Sequence, residues 1–322
     1  MDAFIPMLKN VIIFIALAVP GYILVKAKTL NQEHFGVLSK LLMYVGMPFL
    51  ILSGTLGISF DGEMVLNLLW AALIGIGLTF VFFFLSIFVV TKNKEQTTPD
   101  EEKKRTGMER FCAIFSNNGF LGLPLAAAVF GTGEIFTYLV IVNIINNTLM
   151  YAIGIYLVSG DKSTIDIKRI LLNPVLIAFV VGVILNLAGV NKVLPELVTY
   201  SDYFKNIVTP ISMTILGMKI GGIKLTELFT SWKMYYVSLL KLVAVPVISV
   251  AVTILFNRVW GLNANMIMTM FVAFAMPTAA LSTPFADRYG GDIKNGTIYT
   301  LGNTVLSIIT IPLLYLLLCT IL

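Results

Sequence analysis

Asparagine, serine and threonine are costly inside an apolar helix, and in this chain they gather at a few places. The stretch FCAIFSNNGFLGLPLAAAVFG, residues 111–131, holds Ser116, Asn117, Asn118, Gly119, Gly122 and Pro124 in otherwise apolar sequence. Proline removes an amide donor and obstructs the turn before it, and glycine weakens a helix locally, so this spacing predicts a helix broken midway with unpaired backbone groups. In hydrocarbon such groups are tolerated only where protein or a wet cavity satisfies them, which is where transporters hold substrate and ions. The competing reading is a kinked helix whose asparagines bond to neighbouring helices.

A second interrupted stretch, AFAMPTAALSTPFADRYGGD, begins at Ala273 and carries Met276, Pro277, Thr278, Ser282 and Pro284. Two half-helices that end near a bilayer midplane present free amides and the positive end of a dipole to their meeting point, and an anion can bind there. The amides after Pro124 are expected to take part. Asn117 and Asn118 add side-chain amides, and Ser116, Thr278 and Ser282 add hydroxyls. No aspartate or glutamate lies beside either break, so a carboxylate-built sodium or proton site is not visible. That absence favours a carboxylate or another small organic anion as cargo.

Lys241 lies eight residues after Lys233, roughly 12 Å along a helix. A lysine at that depth is either functional, as a substrate counter-ion or a stand-in for a bound cation, or it snorkels to the interface. Asn143 and Asn147 share a helix face, with Asn146 beside them, and either complete a polar cavity or bond between helices. The candidate binding set is thus Asn117, Asn118, Gly119, Pro124, Met276, Pro277, Thr278, Lys241 and Asn147, supported by Ser116, Asn143, Asn146, Ser282 and Asn303. Asp287 and Arg288 read as a structural ion pair at the interface. Cys112 and Cys319 read as small core residues, and nothing in the sequence asks for a cofactor or a metal.

The elements that would position these residues follow from composition. Hydrophobic residues make up 58% of the 322 and charged residues 12%, with a mean hydropathy of +0.92. Apolar runs of about 20 residues recur along the chain, long enough to cross a hydrocarbon core of about 30 Å as helices. The expected fold is an all-α integral membrane protein of about ten spans: 6–25, 37–58, 64–90, a broken 108–130, 135–158, 170–188, 204–220, 232–256, a broken 263–289 and 293–321. Val11 to Val25 is followed by Lys26 and Lys28 without an evident cleavage site, which reads as a retained span. With the N-terminus outside, 17 of the 22 lysines and arginines fall in inner loops, so both termini are expected on the extracytoplasmic side of the cell (inner) membrane. The net charge of +5 belongs to those loops and implies no nucleic-acid partner; membrane lipid is the expected surrounding. The charged linker from Thr91 to Arg110 reads as a solvated loop.

The two halves echo one another. Asn147-Thr148-Leu149 is answered by Asn303-Thr304-Val305, and the breaks fall at matching places, so residues 1–160 and 161–322 read as two five-helix repeats of inverted topology.

SNNGFLGLPL, MPTAALSTPFADRYGGD and Asn173-Pro174 together resemble the auxin efflux carrier family, over essentially the whole chain. The short segment from Ser159 to Arg169 fits that family's bacterial branch, which includes carriers described as malate or malonate permeases. The resemblance implies a fold shared with bile-acid sodium symporters, with a scaffold (1–60 and 168–222), a mobile transport domain (63–159 and 231–322), the broken helices 4 and 9 crossing in it, and a homodimer through the scaffold. It implies contact between Asn117 and a substrate carboxylate, while the acidic sodium ligand of the bile-acid relatives has no counterpart near Met276-Pro277. The function expected is a secondary carrier of a small organic anion, a mono- or dicarboxylate or an auxin-like acid. An anion channel or sensor is the alternative. An intramembrane enzyme is disfavoured, since no metal-ligand pair or nucleophile elbow is present.

Overall fold

The computed structural model describes residues 4–90, 98–161, 172–222, 226, 228 and 230–321. Lys92, Lys94, Lys162, Lys168, Arg169 and Lys224, which enter the charge count above, lie outside the described residues, as does the start of the span expected at Ile170.

Every named element is helical. In order they are α1 (Phe4–Lys26), α2 (His34–Leu56), α3 (Gly62–Val89), α4 (Pro99–Ile114), α5 (Asn118–Phe130), α6 (Glu134–Ser159), α7 (Pro174–Leu187), α8 (Glu196–Gly221), α9 (Trp232–Trp260), α10 (Ala264–Ala275), α11 (Ser282–Tyr289) and α12 (Ile293–Ile321). Of these, α2, α3, α6, α9 and α12 are long and apolar enough to cross a membrane, and shorter apolar helices lie between them. Polarity is arranged for lipid. In α3 the outward face carries Leu69, Leu73, Phe84 and Phe88, while Asn67, Thr79 and Ser86 turn inward.

Three of the prolines in the helices are absorbed by wide turns. Pro48 in α2, Pro124 in α5 and Pro246 in α9 each follow a five-residue π-helical turn, Leu42–Gly46, Asn118–Gly122 and Leu240–Ala244. A π turn shifts the hydrogen-bond ladder by one residue, which suits a proline that has no N–H to give.

Two helix groups pack within themselves. In the first, α1 lies along α8, and α2 lies against α7 and α8. The approach of α1 to α8 is set by glycine: a β-carbon on Gly21 would fall on the Thr214 carbonyl oxygen, and one on Gly217 on that of Ala18. Asn186 of α7 donates to the carbonyls of Thr55, Leu56 and Ile58 at 2.9, 3.2 and 2.7 Å, closing the orphan end of α2. In the second group α6 contacts α3 and α10, α9 contacts α10 and α12, and α4 packs on the end of α6 and on α12.

Two expectations are corrected here. The linker is not a loop from residue 98 onward, because Thr98 and Glu101 form a reciprocal capping box that starts α4 with Pro99 in its first turn. Farther along α4, Glu109 is buried and meets Lys233 at 3.1 Å and the Tyr299 hydroxyl at 3.3 Å. The seventh span begins at Glu196, eight residues before Phe204, and its polar first part is paired: Asp202 holds Lys205 at 2.6 Å and accepts from the Ser53 hydroxyl of α2 at 2.7 Å.

Candidate functional site

Helix α4 stops at Ile114 and α10 stops at Ala275, each followed by extended backbone. At Met276 the cause is local, since the residue before a proline is pushed out of the helical region. At Phe115 no proline follows. There the Ser116 N–H and carbonyl are taken by the Asn146 side chain of α6 in place of a helix ladder. The two extended pieces pair antiparallel: the Asn117 N–H donates to Pro277 O at 2.8 Å, and the Ala279 N–H donates to Phe115 O at 2.9 Å. Proline lacks a donor but keeps its carbonyl, and the pairing uses only that.

Behind this crossing a buried polar set holds it. Asn146 of α6 grips Ser116 at both backbone groups, accepting from its N–H at 3.3 Å and donating to its carbonyl at 3.0 Å. Asn303 of α12 donates to the Thr278 hydroxyl at 2.6 Å and accepts from Ser238, and Thr278 in turn donates to Cys112 O at 2.7 Å. Lys241 has no exposed surface and donates to Ser116 Oγ at 2.6 Å and Ile114 O at 3.2 Å. Its ammonium thus meets the carbonyl end of α4, the negative end of that helix dipole.

In front lies a cavity of about 560 Å³ lined by Ser116, Asn117, Gly119, Asn143, Asn147, Ala279, Ala280, Leu281 and Arg288, with Tyr44, Tyr151 and Asn173 among its walls. Asn117 caps α5 by position, but its side chain makes no capping bond. The amides of Asn118, Gly119 and Phe120 head that helix without intrahelical acceptors. Arg288 is the one charged residue among the described residues that line the cavity. A wall of N–H donors with one guanidinium and no carboxylate is suited to an anion.

Comparison with known sequences bears on the same stretch of chain. A sequence model of the membrane transport protein family matches residues 6–315. The chain belongs to that family. The match agrees with the resemblance to auxin efflux carriers read from the motifs, and it makes the protein a transporter and not an enzyme. Among its relatives is an uncharacterized transporter of Methanothermobacter thermautotrophicus, 26% identical over 316 residues, covering 95% of this chain and 96% of that one. Another, an uncharacterized transporter of Methanocaldococcus jannaschii, is 25% identical over 293 residues, covering 88% and 90%.

For this family member the residues expected at the site divide into a front and a back. Asn117, Gly119, Asn143, Asn147 and Ser116 line the cavity. Asn118, Pro124, Met276, Pro277, Thr278, Lys241, Asn146, Ser282 and Asn303 are buried and lie outside its lining, in or behind the crossing. The break precedes Pro124 by about two turns, so the free amides are those of residues 118–120, not those after Pro124. Lys241 does not snorkel. Asn146 bonds the Ser116 backbone and Asn303 the Thr278 hydroxyl, one on each side of the crossing. Asp287 and Arg288 are not paired with each other, as adjacent residues on a helix point apart, and Arg288 lines the cavity instead. Tyr44, Tyr151 and Asn186 were not singled out by sequence. Single polar residues in apolar helices are too common to mark them, whereas Thr98-Pro99-Asp100-Glu101 is a legible helix start.

Proposed function

We propose that this transporter is a secondary carrier of a small organic anion, with the cargo held in front of the crossing. The observation that carries this reading is the cavity in which the head of α5, the Asn117 side chain and Arg288 converge without a carboxylate. A carboxylate group set against the amides of residues 118–120 accepts from them and from Asn117, and Arg288 offers a second, bidentate partner nearer the mouth.

In this reading the chain is two inverted five-helix repeats, and the equivalent braces Asn146–Ser116 and Asn303–Thr278 support it. Helices α1, α2, α7 and α8 form a scaffold, and the remainder moves against it to alternate access. Residues 172–173 and Arg288, which the charge bias assigns to the cytoplasm, sit in the cavity lining, and this supports reading the cavity as the inward-facing one.

The test is uptake of labelled mono- and dicarboxylates and indole acids into proteoliposomes, guided by thermal-shift screening of the purified protein, since a ligand stabilises by mass action. Asn117→Ala is expected to abolish uptake while leaving the unfolding midpoint of the unliganded protein within a few degrees. Undiminished uptake would remove Asn117 from the site. Counterflow that saturates in substrate on both sides separates a carrier from a channel. Sodium, proton and voltage gradients imposed singly identify the driving force.

A further inference from the structure

Lys219 lies near the end of α8, in the first helix group, yet its ammonium reaches Ala280 O at 3.3 Å, in the turn between α10 and α11. The same ammonium sits 4.6 Å from the centre of the Phe35 ring, so the first group holds its aliphatic stem and charge in place. This hydrogen bond joins the group of α1, α2, α7 and α8 to the crossing and its helices. Ala280 also borders the cavity at Asn117, and a second cavity of about 330 Å³ is lined by Asn117, Ala280 and Lys219 together. The lysine therefore borders a cavity that shares Asn117, Phe120 and Ala280 with the first.

We propose that Lys219 is a latch between the two helix groups, closed on the Ala280 carbonyl when the site is empty and drawn off it by a bound anion. This rests on the anion-carrier reading above. A carbonyl is a neutral acceptor, whereas a carboxylate adds the attraction of opposite charges to the bond an ammonium makes. An anion in front of Asn117 thus competes for Lys219 and removes the polar tie across the sliding surface. The empty carrier stays fastened and the loaded one is released, which couples movement to occupancy.

The experiment follows amide hydrogen exchange of residues 276–284 in the purified full-length protein, alone and with malonate or indole-3-acetate as probes. Without any anion, Lys219→Met should speed exchange in this segment about tenfold, with the overall unfolding midpoint held, while Lys219→Arg stays near the parent. Each probe that binds by thermal shift should speed the parent's exchange and leave Lys219→Met unchanged. Equal exchange of Lys219→Met and the parent without anion overturns the latch. Faster exchange in the variant, with a bound probe leaving the parent slow, overturns release by the anion. If neither probe binds, the anion-free comparison still decides whether Lys219 is a tie, and the failure then belongs to the choice of cargo.

Discussion

At the scale of single residues, Lys241 and Asn146 act on the site through Ser116 without touching the cavity. Lys241→Met leaves the Ile114 carbonyl and the Ser116 hydroxyl without their buried donor. We expect it to lower the unfolding free energy by about 1–3 kcal/mol and to reduce transport more than substrate binding, as judged by thermal shift beside proteoliposome uptake. Asn146→Ala removes both bonds to the Ser116 backbone and should cost a similar amount, about 1–3 kcal/mol. The matching change Asn303→Ala should behave alike if the two halves of the crossing are equivalent; a mutant pair with opposite effects on uptake would contradict that symmetry. The residue types involved were visible in sequence. Which of them face the cavity was not, because a helix face is fixed only once the neighbouring helices are placed.

At the scale of elements, the start of α4 is governed by an exposed cap. The backbone N–H and side chain of Thr98 both bond Glu101, and they hold its carboxyl below the ordinary glutamate range. Its ionised form is therefore favoured in the folded state. That stabilisation is present above the unfolded-state pKa and is lost as pH falls through the lowered folded value. Amide exchange of residues 98–104, corrected for intrinsic rate, should rise in the parent as pH falls through the lowered carboxylate range and be high at every pH in Thr98→Ala. The α1–α8 pair makes the opposite kind of demand. Gly217→Val should force the two backbones apart and cost about 3 kcal/mol, seen as loss of a monodisperse peak in detergent, whereas Gly189, which has open space around a β-carbon, has no such packing constraint. Both features were partly legible. Thr98-Pro99-Asp100-Glu101 announces a helix start, but the close approach of α1 to α8 depends on partners nearly two hundred residues apart.

At the scale of the whole molecule, the sequence by itself determined that the chain is a membrane protein of apolar helices with two interrupted stretches, and its motifs pointed to a transport family that comparison then supported. These follow from local physics: hydropathy sets what can enter a bilayer, and proline, glycine and short polar side chains set where a helix can stop. The tertiary structure decided that the two stops meet. It also decided that Asn117 stands in front of the meeting point while Lys241, Thr278 and Asn303 stand behind it, and that Arg288 and Lys219 reach spaces next to Asn117. Those relations join residues more than 100 positions apart. They are carried by single hydrogen bonds such as Asn117 to Pro277, which no local pattern encodes and only the packing of the helices brings within reach.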